Sequence, residues 1–275
     1  MPNLNQRKEG KNMNFTKRTR ILVIDTETTN THDTGKGADM SDVLVYDCGW
    51  AVCDVYGNIY ETASYINRDI FYGEPDLMDS AFYAKKLPQY HADIAEGTRT
   101  VADIWTIRRA LLDTMERHNI RFAAAYNARF DANAMNRTIQ WVTKSFCRYF
   151  FPFDTVEWLD IMKMAQDAVV NTRNYKTWAN DMGYITSKGA PRKTAEMIYQ
   201  YMTGEEDFTE SHTGLEDVII EAAIMGFCFS ERDRRKVKMR TRLWENPKEY
   251  PEQTEFQKMI MRSLKDRPSF RYGRA

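Results

Sequence analysis

At 275 residues, with 43% hydrophobic and 28% charged side chains, the chain is long enough to bury a full core and has a globular composition. It holds no apolar stretch near the roughly 20 residues a membrane span requires, so no membrane association is expected. Its 39 basic and 39 acidic residues cancel but are unevenly placed: residues 1–20 carry six Lys/Arg against one acid, residues 231–275 carry fourteen against seven, and the body between them is acidic.

Residues 1–20 are polar, basic and aperiodic, which predicts a flexible segment; they lack the apolar core of a secretory signal, and a cytoplasmic location is expected. ILVID (21–25) is a continuous apolar run, as in a strand buried on both faces. THDTGKGADMSD (31–42) reads as a loop, and VLVYDCGWAVCDV with IYETASYIN reads as a hairpin turning at Gly57-Asn58. Cys48 and Cys53 then point to opposite faces of one strand and make poor joint metal ligands; with Cys147 and Cys228 they are expected to be structural thiols.

Helical signals follow. DLMDSAFYAKKL predicts a helix ending at Pro88, and 101–118 has apolar residues at near-helical period. RFAAAYN (121–127) predicts a fourth strand, with a helix from there to about 143. TVEWLDIMKMAQDAV (155–169) predicts a helix capped by Asp154, NYKTWANDMG a short one ending at Gly183, and TAEMIYQYMTG another starting near Thr194. LEDVIIEAAIMGFCFSE is the last strong helix of the main body, and a further one is expected around 253–265. A hairpin-containing sheet with many helices is a mixed α/β domain.

Three short segments carry the chemistry. Asp25 and Glu27, two apart at the end of a buried strand, project to one side; the pair is either a solvent-facing strand end or a site that requires a cation. Asp131 follows a predicted strand in NARFD and either caps the next helix or joins that site. His212 and Asp217 lie in HTGLED, His212 in a loop and Asp217 near a helix start, where an imidazole is structural or a base with an ordinary pKa near 6.5. Clustered carboxylates holding two divalent cations, with a base for water, are what phosphodiester cleavage needs.

The ordered set D-x-E, N-x-x-x-D and H-x-x-x-x-D, with DTETT at 25–29, resembles the DEDDh (DnaQ-like) 3′→5′ exonuclease family over about 21–229. The resemblance implies a ribonuclease H-like fold with a central five-stranded mixed sheet flanked by helices. It implies two Mg²⁺ or Mn²⁺ ions on Asp25, Glu27, Asp131 and Asp217, and His212 deprotonating the attacking water. It further implies Thr28 contacting the terminal 3′-hydroxyl through its backbone, with Asn127 at the substrate, and nucleoside 5′-monophosphates as products. The organisation expected is a flexible basic segment (1–20), an exonuclease domain (21–229) and a basic, helical C-terminal extension (230–275).

Asn30, where related sequences often carry glycine, the long loop 31–42 and the bulky segment 70–100 depart from the family pattern. No polymerase- or clamp-binding element is recognisable, so a stand-alone or accessory nuclease is expected, with a replication or repair partner left open. The helix around 253–265 offers a surface for self-association. The TSKGAPRK loop, with Lys188, Arg192 and Lys193, is either a phosphate contact or an ordinary surface loop. The partner expected is the 3′ end of a single-stranded nucleic acid, DNA ahead of RNA; a binding module that keeps the fold without the chemistry is the competing class.

Overall fold

The computed structural model describes residues 15–29, 42–79, 81, 84–151 and 156–241. Its central strand is β1 (Ile21–Thr28). Ile21 and Val23 enter one apolar cluster and Leu22 and Ile24 the other, which is why the run is apolar at every position. β2 (Val45–Cys53) and β3 (Ile59–Asn67) form the expected hairpin, antiparallel to each other and to β1. Cys48 and Cys53 do fall into opposite clusters. The β1–β2 register slips between Glu27 and Thr28, where Glu27 opposes Asp47 and Thr28 opposes Val45, leaving Tyr46 as an extra residue beside the acidic end.

The sheet has six strands, not five. A short edge strand, β4 (Thr100–Ala102), runs parallel to β3, and β5 (Phe122–Ala125) and β6 (Glu157–Asp160) lie parallel on the other side of β1, giving the order β4-β3-β2-β1-β5-β6. β4 occupies the start of the helix predicted over 101–118. Asp103 sets the true start, accepting from the Trp105 and Thr106 amides at 3.0 and 2.9 Å.

β6 replaces the first turn of the helix predicted over 155–169. Trp158 packs into one cluster and Leu159 into the other, an alternation that two residues alone cannot separate from a helical face. Asp160 caps the helix that follows; the expected cap, Asp154, lies outside the described residues.

Short helices α1 (Arg68–Phe71) and α2 (Pro75–Asp79) precede α3 (Leu87–Glu96). Pro88 was expected to end a helix and instead sits in the first turn of α3, where its missing N–H costs nothing. α4 (Ile104–Arg117) and α5 (Ala128–Thr143) cover one face of the sheet. The other face is covered by α6 (Ile161–Ala165), a π-helical turn over Gln166–Val170, α7 (Arg173–Asp181), α8 (Ala195–Thr203) and α9 (Gly214–Arg235).

Glycines let α9 touch the sheet backbone. A Cβ on Gly49 would lie 2.2 Å from the Gly214 carbonyl oxygen, and one on Gly226 would lie 2.3 Å from that of Tyr56. α9 extends past the boundary expected at 229/230. Beyond it the Thr241 carbonyl accepts from the Asp160 amide at 2.9 Å, and Arg240 pairs with Asp167 at 2.8 Å. The Phe15 ring packs 5.2 Å from Phe122 and 5.1 Å from Phe229. Asn30, most of the 31–42 loop and the 253–265 helix lie outside the described residues. Among the described residues, no helix is long and apolar enough to cross a membrane.

Candidate metal centre

The change along β1 from apolar to acidic side chains builds the site. Ile21 and Val23 pack with Val218 and Ala222 of α9, so Asp25 and Glu27, on the same side of the strand, continue toward the start of that helix. There Asp217 and Glu221, one turn apart, face them across a cleft of about 950 Å³. Asp131 arrives from α5 and is held by the Thr26 hydroxyl, which donates to its Oδ1 at 2.8 Å. Glu27, Asp131, Asp217 and Glu221 are all less than a tenth exposed.

His212 completes the rim from the loop before α9. Its backbone is left-handed (φ 51°), an arrangement rarely adopted by a side-chain-bearing residue, and its amide donates to the Asp217 carboxylate. The same turn fixes Asp217 and His212 together. His212 Nδ1 lies 4.0 Å from Glu210 Oε2. One ligand atom each from Glu27, His212 and Asp217 lie within 4.8 Å of one another.

Charge in this cluster is poorly compensated. Desolvation and then Glu221, Asp131, Glu27 and Asp217 hold the Asp25 pKa well above its usual range. Burial, with Asp217 and Asp47, raises Glu27 to about 9, against the pull of Lys86. Burial raises Asp131 to about 7 and Asp217 to about 6, and it pushes Glu221 well up with help from Asp131. Burial and then Lys86 lower the pKa of His212, favouring the neutral imidazole. Crowded hard-oxygen donors with too little positive charge among them fit hard divalent cations such as Mg²⁺ or Mn²⁺.

A second charged cluster holds the start of α9 in place. Asp47, fully buried on β2, accepts from the Tyr90 hydroxyl (2.8 Å), the Arg99 guanidinium (3.2 Å) and the Gly214 amide (3.0 Å). Arg99 also donates to Asp93 (2.9 Å) and to Glu216 (3.2 Å), next to Asp217. With the Gly49–Gly214 contact, this brace sets the height of Asp217 over the sheet.

The five carboxylate and imidazole positions singled out in the sequence thus come together around one cleft. Arg192 and Lys193 line its far wall, on a loop whose carbonyls accept from Tyr175 and Tyr126. Lys188 sits exposed at the tip of that loop, off the lining; Asn127 is exposed, in a left-handed conformation ahead of α5, and Thr28 is buried at the end of β1. Sequence reasoning missed Glu221, Glu210, the Thr26 hydroxyl and the Asp47–Arg99 brace. Glu221 had a signal: it is four residues past Asp217 on a predicted helix, hence on the same face.

No protein-family model and no curated protein matches the sequence. Among solved structures, the chain is similar to Escherichia coli exonuclease I in complex with a 5cy-dT13 oligonucleotide, with TM-score 0.47 and 13% identity over 78% of this chain and 41% of that one. It is similar to exonuclease I of Methylocaldum szegediense, with TM-score 0.45 and 16% identity over 79% and 41%. It is also similar to a zinc-bound E. coli exonuclease I–single-stranded DNA complex, with TM-score 0.43 and 11% identity over 79% and 41%. The chain therefore spans less than half the length of these proteins.

Proposed function

We propose that the chain is a metal-dependent 3′→5′ exonuclease that removes nucleoside 5′-monophosphates from single-stranded DNA ends. The observation that carries this reading is the convergence of Asp25, Glu27, Asp131, Asp217 and Glu221 with His212 at one end of a cleft whose other wall carries Arg192 and Lys193. Two Mg²⁺ or Mn²⁺ ions, held by Asp25, Glu27, Asp131 and Asp217, would stabilise charge on the attacking and leaving oxygens. His212, with its lowered pKa, is neutral near pH 7 and takes the proton of the attacking water. The new bond is water oxygen to phosphorus; the bond that breaks is phosphorus to the 3′ oxygen of the penultimate nucleotide. Glu210, 4.0 Å from Nδ1, would stabilise by its charge the imidazolium that forms.

Thr28, through its backbone, and Asn127 belong in this reading to the terminal nucleotide, Arg192 and Lys193 to strand phosphates at the cleft wall, and Lys188, at the loop tip, to phosphate outside the cleft. Free cysteines, three of the four buried, suit a reducing cytoplasm. The test is a gel of 3′- and 5′-labelled single-stranded DNA and RNA oligomers with Mg²⁺, Mn²⁺ or EDTA, beside Asp25→Ala. The expected result is a one-nucleotide ladder receding from the 3′ end of DNA, lost with EDTA and in the variant. More than tenfold preference for RNA would make the protein a ribonuclease, and no cleavage of any strand would leave a binding module.

A further inference from the structure

The acids occupy only one end of the cleft. The opposite end opens past the π-helical turn into a second depression of about 540 Å³, lined by Asn171, Arg173, Lys176, Thr177 and Asn180; Asn171 and Lys176 line both spaces. Four of these residues belong to α7 at spacing i, i+3, i+4 and i+7, which places them in one stripe on its surface. Tyr175 and Ala179, on the other face, are fully buried in the core, and the Trp178 ring packs 5.3 Å from Tyr175.

The stripe is exposed and carries no acid. The Arg173 and Lys176 side chains make no ion pair among the described residues, as is also true of Arg192 and Lys193 on the cleft wall. Unneutralised cations continuous with an acidic centre are what an extended polyanion needs if one end is to reach the acids. No aromatic ring lines the second depression, so contact there is to the backbone and not by base stacking.

We infer that the α7 stripe, led by Arg173 and Lys176, is the track for the sugar-phosphate backbone upstream of the terminal nucleotide. This rests on the exonuclease reading of the acidic end. The track makes hydrolysis of long strands salt-dependent and insensitive to base sequence, while a dinucleotide, too short to run along it, is handled mainly by the cleft.

The test compares the full chain with Arg173→Gln/Lys176→Gln on a dinucleotide and a 12-mer of single-stranded DNA in Mg²⁺. It is paired with fluorescence anisotropy of the 12-mer at increasing salt. The double variant should raise KM for the 12-mer about tenfold and reduce the slope of log affinity on log salt by about 1.4, at roughly 0.7 per phosphate contact. Its loss on the dinucleotide, which meets only Lys176 at the cleft edge, should be much smaller than its loss on the 12-mer, and Arg173→Lys/Lys176→Arg should restore the 12-mer. If wild type cleaves DNA and the double variant matches it on the 12-mer, the track is wrong and the nuclease reading stands. If wild type cleaves nothing, the nuclease reading fails, and the anisotropy arm still decides the track: equal binding by both proteins overturns it.

Discussion

Two clusters of charge meet at the start of α9, and they have opposite characters. Around Asp47 the buried carboxylate is answered by a guanidinium, a phenol and a backbone amide. A few residues away, Asp25, Glu27, Asp131, Asp217 and Glu221 answer one another mainly with more negative charge, relieved by Lys86, by the Thr26 and Ser211 hydroxyls and by backbone amides such as those of His212 and Tyr126. Burying a charge costs several kcal/mol unless it is paired. Asp47 is paired at Oδ2, although its Oδ1 has no partner and burial still raises its pKa, whereas the neighbouring acids make no ion pair among the described residues, which suits a cation that arrives later. On the proposed reading the compensated cluster is scaffold, and the uncompensated one is the candidate site.

The largest effect should come from unbalancing the scaffold. Arg99→Met leaves Asp47 buried without its cation and should cost about 3–5 kcal/mol in urea unfolding. A loss under about 1 kcal/mol would remove the distinction between the clusters. In the site the same kind of change should spare the fold and stop the chemistry. Asp25→Ala or Asp217→Ala should slow turnover at least 100-fold, about 2.7 kcal/mol of barrier, while melting in EDTA no lower than wild type. Retention of more than a tenth of the rate would argue against the ligand assignment. His212→Ala should slow turnover with Mn²⁺ affinity nearly intact; lost affinity would make the imidazole a ligand.

Titration sharpens the contrast further. The site acids have folded-state pKa values above their unfolded ones, from 3.8 or 4.5 up to about 6 for Asp217, about 7 for Asp131 and about 9 for Glu27. The folded protein therefore binds protons more tightly than the unfolded chain. In EDTA its stability is greatest below about pH 4 as far as these groups are concerned. It should fall between there and about pH 9, by about 1.4 kcal/mol per pH unit for each proton involved. Chemical unfolding across that range measures the slope, and a flat profile would mean the acids are already neutralised. Smallest of all, Glu221→Gln keeps an acceptor for the Tyr126 amide while removing a carboxyl that burial holds against ionisation. It should stabilise the metal-free protein at pH 8. Destabilisation instead would place Glu221 with the scaffold.

What was legible in the sequence follows the same division. β1 could be read because every residue from Ile21 to Ile24 is apolar, and the Asp25–Glu27 spacing then placed two acids on one side. α9 could be read from its period, which made Asp217 a helix-start residue. Asp131 was ambiguous because its partner, Thr26, is 105 residues away. The Asp47–Arg99–Glu216 brace was illegible for the same reason, joining residues 52 and 117 positions apart. β4 and β6, three and four residues long, are too short to establish a period of two. Pro88 could end a helix or begin one, and only the packing of α3 decides which.

The most direct test of the claim that the acidic cluster awaits cations is thermal unfolding at pH 8 with and without Mn²⁺, for wild type and Asp25→Asn. Mn²⁺ near 100 times the wild-type dissociation constant should stabilise wild type by about 2.7 kcal/mol, and the variant, which lacks one carboxylate ligand, by much less. A wild-type melting temperature that does not move with Mn²⁺ would contradict the account.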